Sequence, residues 1–184
     1  MQWYSQLRRC TGPCVFIDAS ETWQKQTTRN RCTIATANGP LTLTVPVEHP
    51  AVDSGVQAMP SRLLTRDIRI SDHGRWRHLH WQALCSNYGK SAFFDYYADD
   101  LRPFFERKWT FLIDYNTEIT QLLCRWLQLE KDVKVSTSPS GNSDMPVCHL
   151  PEYYQVYRER TGFLPNLSIL DLLFNEGPQS ILYL

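Results

Sequence analysis

The sequence lacks the features that mark several large classes of protein. No uncharged hydrophobic run is long enough to cross a bilayer, and the longest apolar run near the start, Cys14 to Ile17, is far shorter than a signal-peptide core. Lys plus Arg and Asp plus Glu both number 19, and no segment collects the cationic excess typical of nucleic-acid binding. We therefore expect a cytoplasmic protein that inserts into no membrane and binds no nucleic-acid polymer.

Motifs for common cofactors and catalytic centres are missing as well. The chain contains no GxGxxG, no GxxxxGK[ST] phosphate loop, no HExxH and no GxSxG. Of the six cysteines only Cys10 and Cys14 lie close together, and His78 and His80 have the spacing of a strand rather than of a helical metal site. We expect free thiols, no metal site and no cofactor.

What the chain has in quantity is apolar and aromatic bulk. Hydrophobic residues make up 42% of the 184 positions, with six Trp, nine Tyr and eight Phe. This length and composition predict one compact domain over residues 1–184 with a substantial core. The tract 138–146, rich in Ser, Gly, Pro and Asn, is expected to be flexible.

A β-hairpin at residues 30–47 is the clearest structural prediction. Two runs of alternating β-formers flank Asn38-Gly39, a pair that tolerates the positive φ of tight turns. Centring the turn there predicts the pairs Thr36–Leu41, Ile34–Leu43, Cys32–Val45 and Asn30–Val47. Pro40 conflicts with this register because it has no N–H to close the turn.

Other segments predict a mixed α/β (α+β) fold, with a small, largely antiparallel sheet covered by helices. Strands are indicated up to Asp18, at 66–71 and from residue 132, and three- and four-residue apolar spacing indicates helices. The predicted helices are 3–9, 76–88, 99–129 with a break near 116, 152–160 and 168–175.

The entry to the hairpin is rich in cations and amides. Lys25, Arg29 and Arg31, with Asn30 beside them, could bind phosphate or carboxylate, because guanidinium groups match the geometry of these anions. The alternative is a solvated strand edge in which Arg29 pairs with Glu48 across the hairpin.

A polar stripe crosses the otherwise apolar C-terminal helix. Asp171 and Asn175 lie four residues apart among Leu, Ile and Phe, and they could contact a substrate or the basic segment. The alternative is structural, because Ser168 with Asp171 resembles a capping box and Gly177-Pro178 is a helix stop. In either case Asp171 needs a partner, since an unpaired buried carboxylate is costly.

Two further candidates belong to the helical middle of the chain. Tyr88 and Lys90 stand beside the aromatic patch 93–97 and could line a sugar or base pocket, although such aromatics are more often core. His80 could act as a general base because its ordinary pKa is near neutrality.

The segments WQKQTTRNRCTIATANGPLTLTVPV, WRHLHWQALCSNYGKSAFFDYY, EYYQVY and FLPNLSILDLLFNEGP together resemble the WbqC-like family of bacterial proteins. Members usually begin with an additional strand, so we expect this chain to lack that strand. The resemblance implies roles for Lys25, Asn30, Arg31, His80, Tyr88, Gln155, Asp171 and Asn175.

The resemblance also implies a function. Genes of this family are found in surface-polysaccharide clusters, and some members are described as transferases that decorate amino sugars. We expect a transferase acting on a nucleotide-linked, activated amino sugar in O-antigen biosynthesis, with His80 or Asp171 as the proton acceptor. The alternative is a non-catalytic binding or assembly protein of the same pathway, and a homodimer is compatible with either.

Overall fold

The computed structural model describes residues 1–24, 27–48, 63–137 and 150–184. Short 3-10 helices cover Thr65–Asp67 and Gly177–Tyr183. The remaining elements, in chain order, are α1 (Gln2–Arg9), β1 (Cys14–Asp18), β2 (Arg31–Thr36), β3 (Gly39–Thr44), α2 (Trp76–Tyr88), α3 (Phe94–Leu101), α4 (Pro103–Glu106), α5 (Leu112–Trp126), β4 (Asp132–Ser136), α6 (Arg158–Thr161) and α7 (Ile169–Glu176). The predicted flexible tract at 138–146 and Lys25 lie outside the described residues.

The mixed α/β class and the hairpin are confirmed, but the strands form two separate pairs. β2 and β3 are antiparallel, whereas β1 and β4 are parallel, with Cys14 opposite Asp132 and Asp18 opposite Ser136. The hairpin supplies the expected antiparallel pairing, and the β1–β4 pair adds a parallel one. Strand direction depends on the long crossover through α2 to α5, which alternation within each strand does not encode.

The predicted hairpin register is wrong by two residues. The turn contains Ala37 and Asn38, and Thr36 pairs with Gly39, whose φ is +106°. Val45 N–H donates to the Asn30 carbonyl at 2.8 Å, so alternation along the ladder places Pro40 opposite Ala35 in a non-hydrogen-bonded pair. The missing N–H of Pro40 explains the shift, and a shift of two leaves every side chain on its predicted face.

Several helix boundaries also differ from the predictions. The expected helix 99–129 is divided among α3, α4 and α5. The break before α5 lies at 107–111 rather than near 116, and Phe111 in this break forms a β-bridge with Arg69. The expected strand 66–71 is a 3-10 turn followed by isolated bridges. Of the expected helix 152–160 only α6 forms, since Tyr153 and Gln155 are buried in a non-helical segment.

The helix α7 lies in the middle of the core. All of residues 169–175 are buried, so this helix is surrounded on every side rather than amphipathic. The rings of Tyr88 and Phe94 both lie 5.1 Å from the Phe174 ring of α7. A second apolar cluster forms around Trp76 and Trp109. The polar residues Asp171 and Asn175 of α7 are therefore buried in the core.

Within the described ranges, none of the helices combines the length and the apolar character that a bilayer-spanning segment requires.

Candidate functional site

Asp171 is the centre of a buried polar cluster. Its side chain has 0% exposure, the Tyr88 hydroxyl donates to Oδ1 at 2.6 Å, and the Tyr153 hydroxyl donates to Oδ2 at 2.5 Å. Among the described residues no Lys or Arg forms an ion pair with this carboxylate. The partner that Asp171 required is therefore a pair of tyrosine hydroxyls rather than a cation.

The cluster is held in place by the outer edge of β2. Ser168 N–H donates to the Thr33 carbonyl at 2.7 Å, and the Ser168 hydroxyl caps α7 by accepting from Leu170 N–H. Ala35 N–H donates to the Tyr88 hydroxyl at 2.9 Å, which makes that hydroxyl both an acceptor and a donor. Among the described residues, the hairpin is thus joined to Asp171 through backbone groups at its middle.

Burial dominates the electrostatics of this cluster. Desolvation raises the pKa of Asp171, and hydrogen bonds from Tyr153, Tyr88 and Gln155 oppose that rise. Burial and the adjacent carboxylate raise the pKa of Tyr88 and of Tyr153, so both hydroxyls keep their protons. Asp171 holds a proton more readily than an ordinary carboxyl, but both of its oxygens already accept hydrogen bonds in an enclosed space.

Gln155 and Asn175 complete the cluster. The Gln155 amide donates to the Leu164 carbonyl at 2.8 Å and accepts from Leu164 N–H at 2.9 Å. Asn175 Nδ2 donates to the Asp171 carbonyl at 2.7 Å, while its buried Oδ1 has no hydrogen-bond partner among the described residues. The structure therefore brings together Tyr88, Gln155, Asp171 and Asn175, and it adds Tyr153, which the sequence did not single out.

The basic entry to the hairpin is a separate feature. Arg29 forms an ion pair with Glu21 rather than with Glu48. Asn30 Nδ2 donates to the Val45 carbonyl at 3.1 Å, and Asn116 on α5 donates to the Arg29 carbonyl at 2.8 Å. Arg31 is partly buried at the start of β2. These contacts anchor the hairpin to its neighbours.

His80 and Lys90 also lie apart from Asp171. Lys90 is exposed just beyond the end of α2. The His80 ring lies 5.2 Å from the Trp76 ring and 6.5 Å from the Phe105 ring, and burial lowers its pKa from the ordinary 6.5 to about 4. The imidazole is therefore neutral at neutral pH.

A cavity of about 480 Å³ opens between the start of α2 and α4. Phe105, which contacts the His80 ring, is part of its wall. The wall includes Arg75, Arg77, His78, Trp81, Arg102 and Phe105. This combination of guanidinium groups and aromatic rings can hold an anionic ligand with a flat, stackable part.

Comparison with known proteins decides the family. The sequence profile of the WbqC-like protein family matches residues 3–150. The chain belongs to the WbqC-like family. Neither curated proteins nor solved structures gave a significant match to this WbqC-like protein.

Some candidate residues of the WbqC-like protein lie inside the range that the family profile matches, and others lie beyond it. His80 and the cavity at α2 and α4 lie inside residues 3–150, together with Tyr88 and the hairpin. The other members of the buried cluster lie beyond residue 150: Tyr153, Gln155, Asp171 and Asn175.

Sequence reasoning missed the cavity arginines, although one feature could have indicated them. Arg75, Arg77 and His78 stand at the start of a helix, where the helix dipole disfavours cations. Cations in that position need an acidic partner, which Arg77 has in Asp72. Arg102 and Phe105 could not be added to the group from sequence, because only packing brings α4 against α2.

Proposed function

We propose that this WbqC-like protein is a transferase that modifies an activated amino sugar in surface-polysaccharide (O-antigen) biosynthesis. Family membership supports the pathway. The observation that carries the proposal is the cationic and aromatic cavity at α2 and α4, whose wall residue Phe105 contacts the neutral imidazole of His80. Such a cavity fits a substrate that has a charged activating group and an amine.

In this proposal the nitrogen of the sugar amine bonds to the electrophilic carbon of the group to be transferred, and the bond between that carbon and the donor's leaving group breaks, with the electron pair going to the leaving group. His80 accepts the proton that the amine nitrogen releases. The ring is neutral and can accept a hydrogen bond from the amine. A bound anionic substrate raises the pKa of a nearby imidazole, which makes the ring a better base when the substrate is present. Asp171 has a supporting role, because both of its oxygens are occupied by tyrosine hydroxyls.

The test is turnover of nucleotide-linked amino sugars by wild type and by His80→Gln. General-base catalysis contributes roughly 10²–10⁴-fold, so His80→Gln should lower kcat by at least about a hundredfold while circular dichroism stays unchanged. His73→Gln is the matched control, since His73 is exposed, whereas the His80 ring is half-buried and contacts Phe105 of the cavity wall. Equal turnover by His80→Gln and wild type would contradict the proposed role.

A second candidate is the non-catalytic binding or assembly protein. It is favoured by the enclosed Asp171 and by exposed aromatic side chains such as Tyr96, at 74% exposure, and Tyr154, at 62%. Absence of turnover, together with co-purification of a polysaccharide enzyme that is lost in Tyr96→Ala, would select this candidate.

A further inference from the structure

We infer that the cavity between α2 and α4 is the subsite for the diphosphate of a nucleoside-diphosphate sugar. This inference rests on the proposed function, because it names the chemical class of the activated sugar. It assigns the binding of the anion to Arg75, Arg77 and Arg102, because these three arginines line one cavity, instead of to the basic entry of the hairpin.

The cavity draws its guanidinium groups from two helices. Arg75 is the N-cap residue of α2, and Arg102 immediately precedes Pro103 at the start of α4. The Arg77 side chain is only 15% exposed, and its guanidinium lies over the Trp76 ring at 4.7 Å. Its Nη2 is ion-paired with Asp72 at 2.7 Å, while its buried Nε has no hydrogen-bond acceptor in the ranges that the structure describes. An oxyanion in the cavity would meet donors from opposite walls.

The local charge matches a diphosphate diester. The three cavity arginines and Lys108, which ion-pairs with Asp72, supply four positive charges, and Asp72 and Glu106 supply two negative charges. The difference is an excess of two in a chain whose formal net charge is zero. A diphosphate that links a nucleoside to a sugar has one negative charge on each phosphate, so it would neutralise this excess.

The apolar part of the cavity suits the nucleoside or the sugar. The rings of Trp81 and Phe105 lie 5.8 Å apart at an angle of 35°, and Trp81 is only partly buried. A partly open indole beside guanidinium groups can stack against a flat base or a sugar face.

The start of α2 adds backbone donors to the same cavity. The first turn of this 13-residue helix contains no acidic residue, and in the described ranges no side chain caps it. Its leading N–H groups therefore remain available, and the helix dipole favours an anion there.

Substitution of Glu106 tests the subsite in the opposite direction, because it should tighten diphosphate binding rather than weaken it. Its carboxylate accepts from Arg102 Nε at 2.6 Å and lies in the cavity wall, where it repels an anion. Glu106→Gln removes that repulsion and releases Arg102, so diphosphate binding should become tighter by about threefold or more. A purely structural Arg102–Glu106 pair would not produce tighter binding.

The experiment is isothermal titration calorimetry with inorganic pyrophosphate and with UDP at low salt. Pyrophosphate tests the anion subsite whatever the natural base is, and UDP adds the stacking contribution. Arg75→Gln and Arg102→Gln should each weaken binding of both probes by about tenfold, which is the usual scale for a hydrogen bond to a charged group. Trp81→Leu should weaken UDP binding more than pyrophosphate binding. Arg160→Gln removes one exposed charge on α6 and is the matched control.

Each outcome has a definite meaning. Failure of pyrophosphate to bind, or equal binding by wild type, Arg75→Gln and Arg102→Gln, would overturn the subsite. If the arginine variants bind both probes more weakly than wild type but no turnover is found, the diphosphate subsite is supported and the transferase proposal is rejected. If the double variant Arg75→Gln/Arg102→Gln turns over the substrate with an unchanged KM, the transferase proposal is supported and the subsite is rejected.

Discussion

At the scale of single residues, Asp171 shows how a buried carboxylate can be accommodated without a cation. Its two oxygens accept from Tyr88 and Tyr153, and the Tyr88 hydroxyl in turn accepts from Ala35 N–H. The network connects three elements by hydrogen bonds, namely α2, α7 and β2. Its members are therefore energetically coupled, and removal of one leaves another with an unsatisfied buried group.

Tyr153→Phe should destabilise the protein because it leaves Asp171 Oδ2 without its donor. The expected loss is about 1–3 kcal/mol in the free energy of unfolding, measured by urea titration. The adjacent Tyr154→Phe is the matched control, since Tyr154 is 62% exposed, and it should change stability by less than ~0.5 kcal/mol. Equal effects of the two variants would show that the Tyr153 hydroxyl does not stabilise the carboxylate.

His80 should make folding stability depend on pH in the acid range. Its pKa is lowered from 6.5 to about 4 in the folded protein. As the pH falls below 6.5, His80 is therefore protonated in the unfolded chain but stays neutral in the folded protein, which favours unfolding. Stability is thus full above pH 6.5 and is lost as the pH falls toward 4. His80→Gln should flatten this part of the curve of unfolding free energy against pH, whereas His73→Gln should leave it unchanged. A wild-type slope retained by His80→Gln would contradict the assignment.

At the scale of elements, two glycines with positive φ stand at element boundaries, Gly39 at the start of β3 and Gly177 just after the end of α7. Gly39 follows the hairpin turn with φ +106°, and a Cβ added there would meet no other group within 4 Å among the described residues. Gly177 ends α7 with φ +55°, and a Cβ there would lie 2.5 Å from the Phe93 ring. Both positions require the same backbone freedom, but only Gly177 also requires the absence of a side chain.

Gly177→Ala should therefore cost more than Gly39→Ala. Backbone strain alone predicts about 1–3 kcal/mol at Gly39, and crowding against Phe93 adds about 1–3 kcal/mol at Gly177. Thermal unfolding of both variants, together with Gly177→Ala/Phe93→Leu, measures the difference. The smaller side chain at 93 should restore part of the stability lost in Gly177→Ala. If it restores none, crowding against Phe93 is not the cause of the lost stability.

At the scale of the whole molecule, the first and last parts of the chain are packed together. The Met1 ammonium donates to the Leu167 carbonyl at 3.1 Å, and Arg8 Nη1 donates to the Ile181 carbonyl at 2.6 Å. The Ser5 hydroxyl donates to the Leu184 carbonyl at 3.3 Å, and the Leu184 side chain is part of the main core cluster. Contacts between distant parts of the sequence favour a single cooperative unit.

Leu184→Ala should consequently lower the stability of the entire fold. The loss of a buried leucine costs about 2–5 kcal/mol, and far-UV circular dichroism and tryptophan fluorescence should shift together in one transition. Leu182→Ala is the matched control, because Leu182 is 69% exposed. A fluorescence transition that separates from the circular dichroism transition would argue against a single domain over residues 1–184.

Much of the secondary structure was predictable because it depends on neighbouring residues. Alternation around Asn38-Gly39 indicated the hairpin, three- and four-residue spacing indicated α2 and α7, and Ser168 indicated the start of α7. The errors arose where distant contacts prevail over local pattern. Phe111 joins Arg69 in a bridge instead of continuing a helix.

Residue identity and short spacing were enough to indicate the family, the mixed α/β class and the need of Asp171 for a partner. Three-dimensional packing was required to identify that partner as Tyr88 with Tyr153, to separate the hairpin cations from it, and to bring Arg75 and Arg102 into one cavity with Trp81. The physical reason is that helix packing joins residues far apart in the chain, and burial and charge then depend on which helices meet.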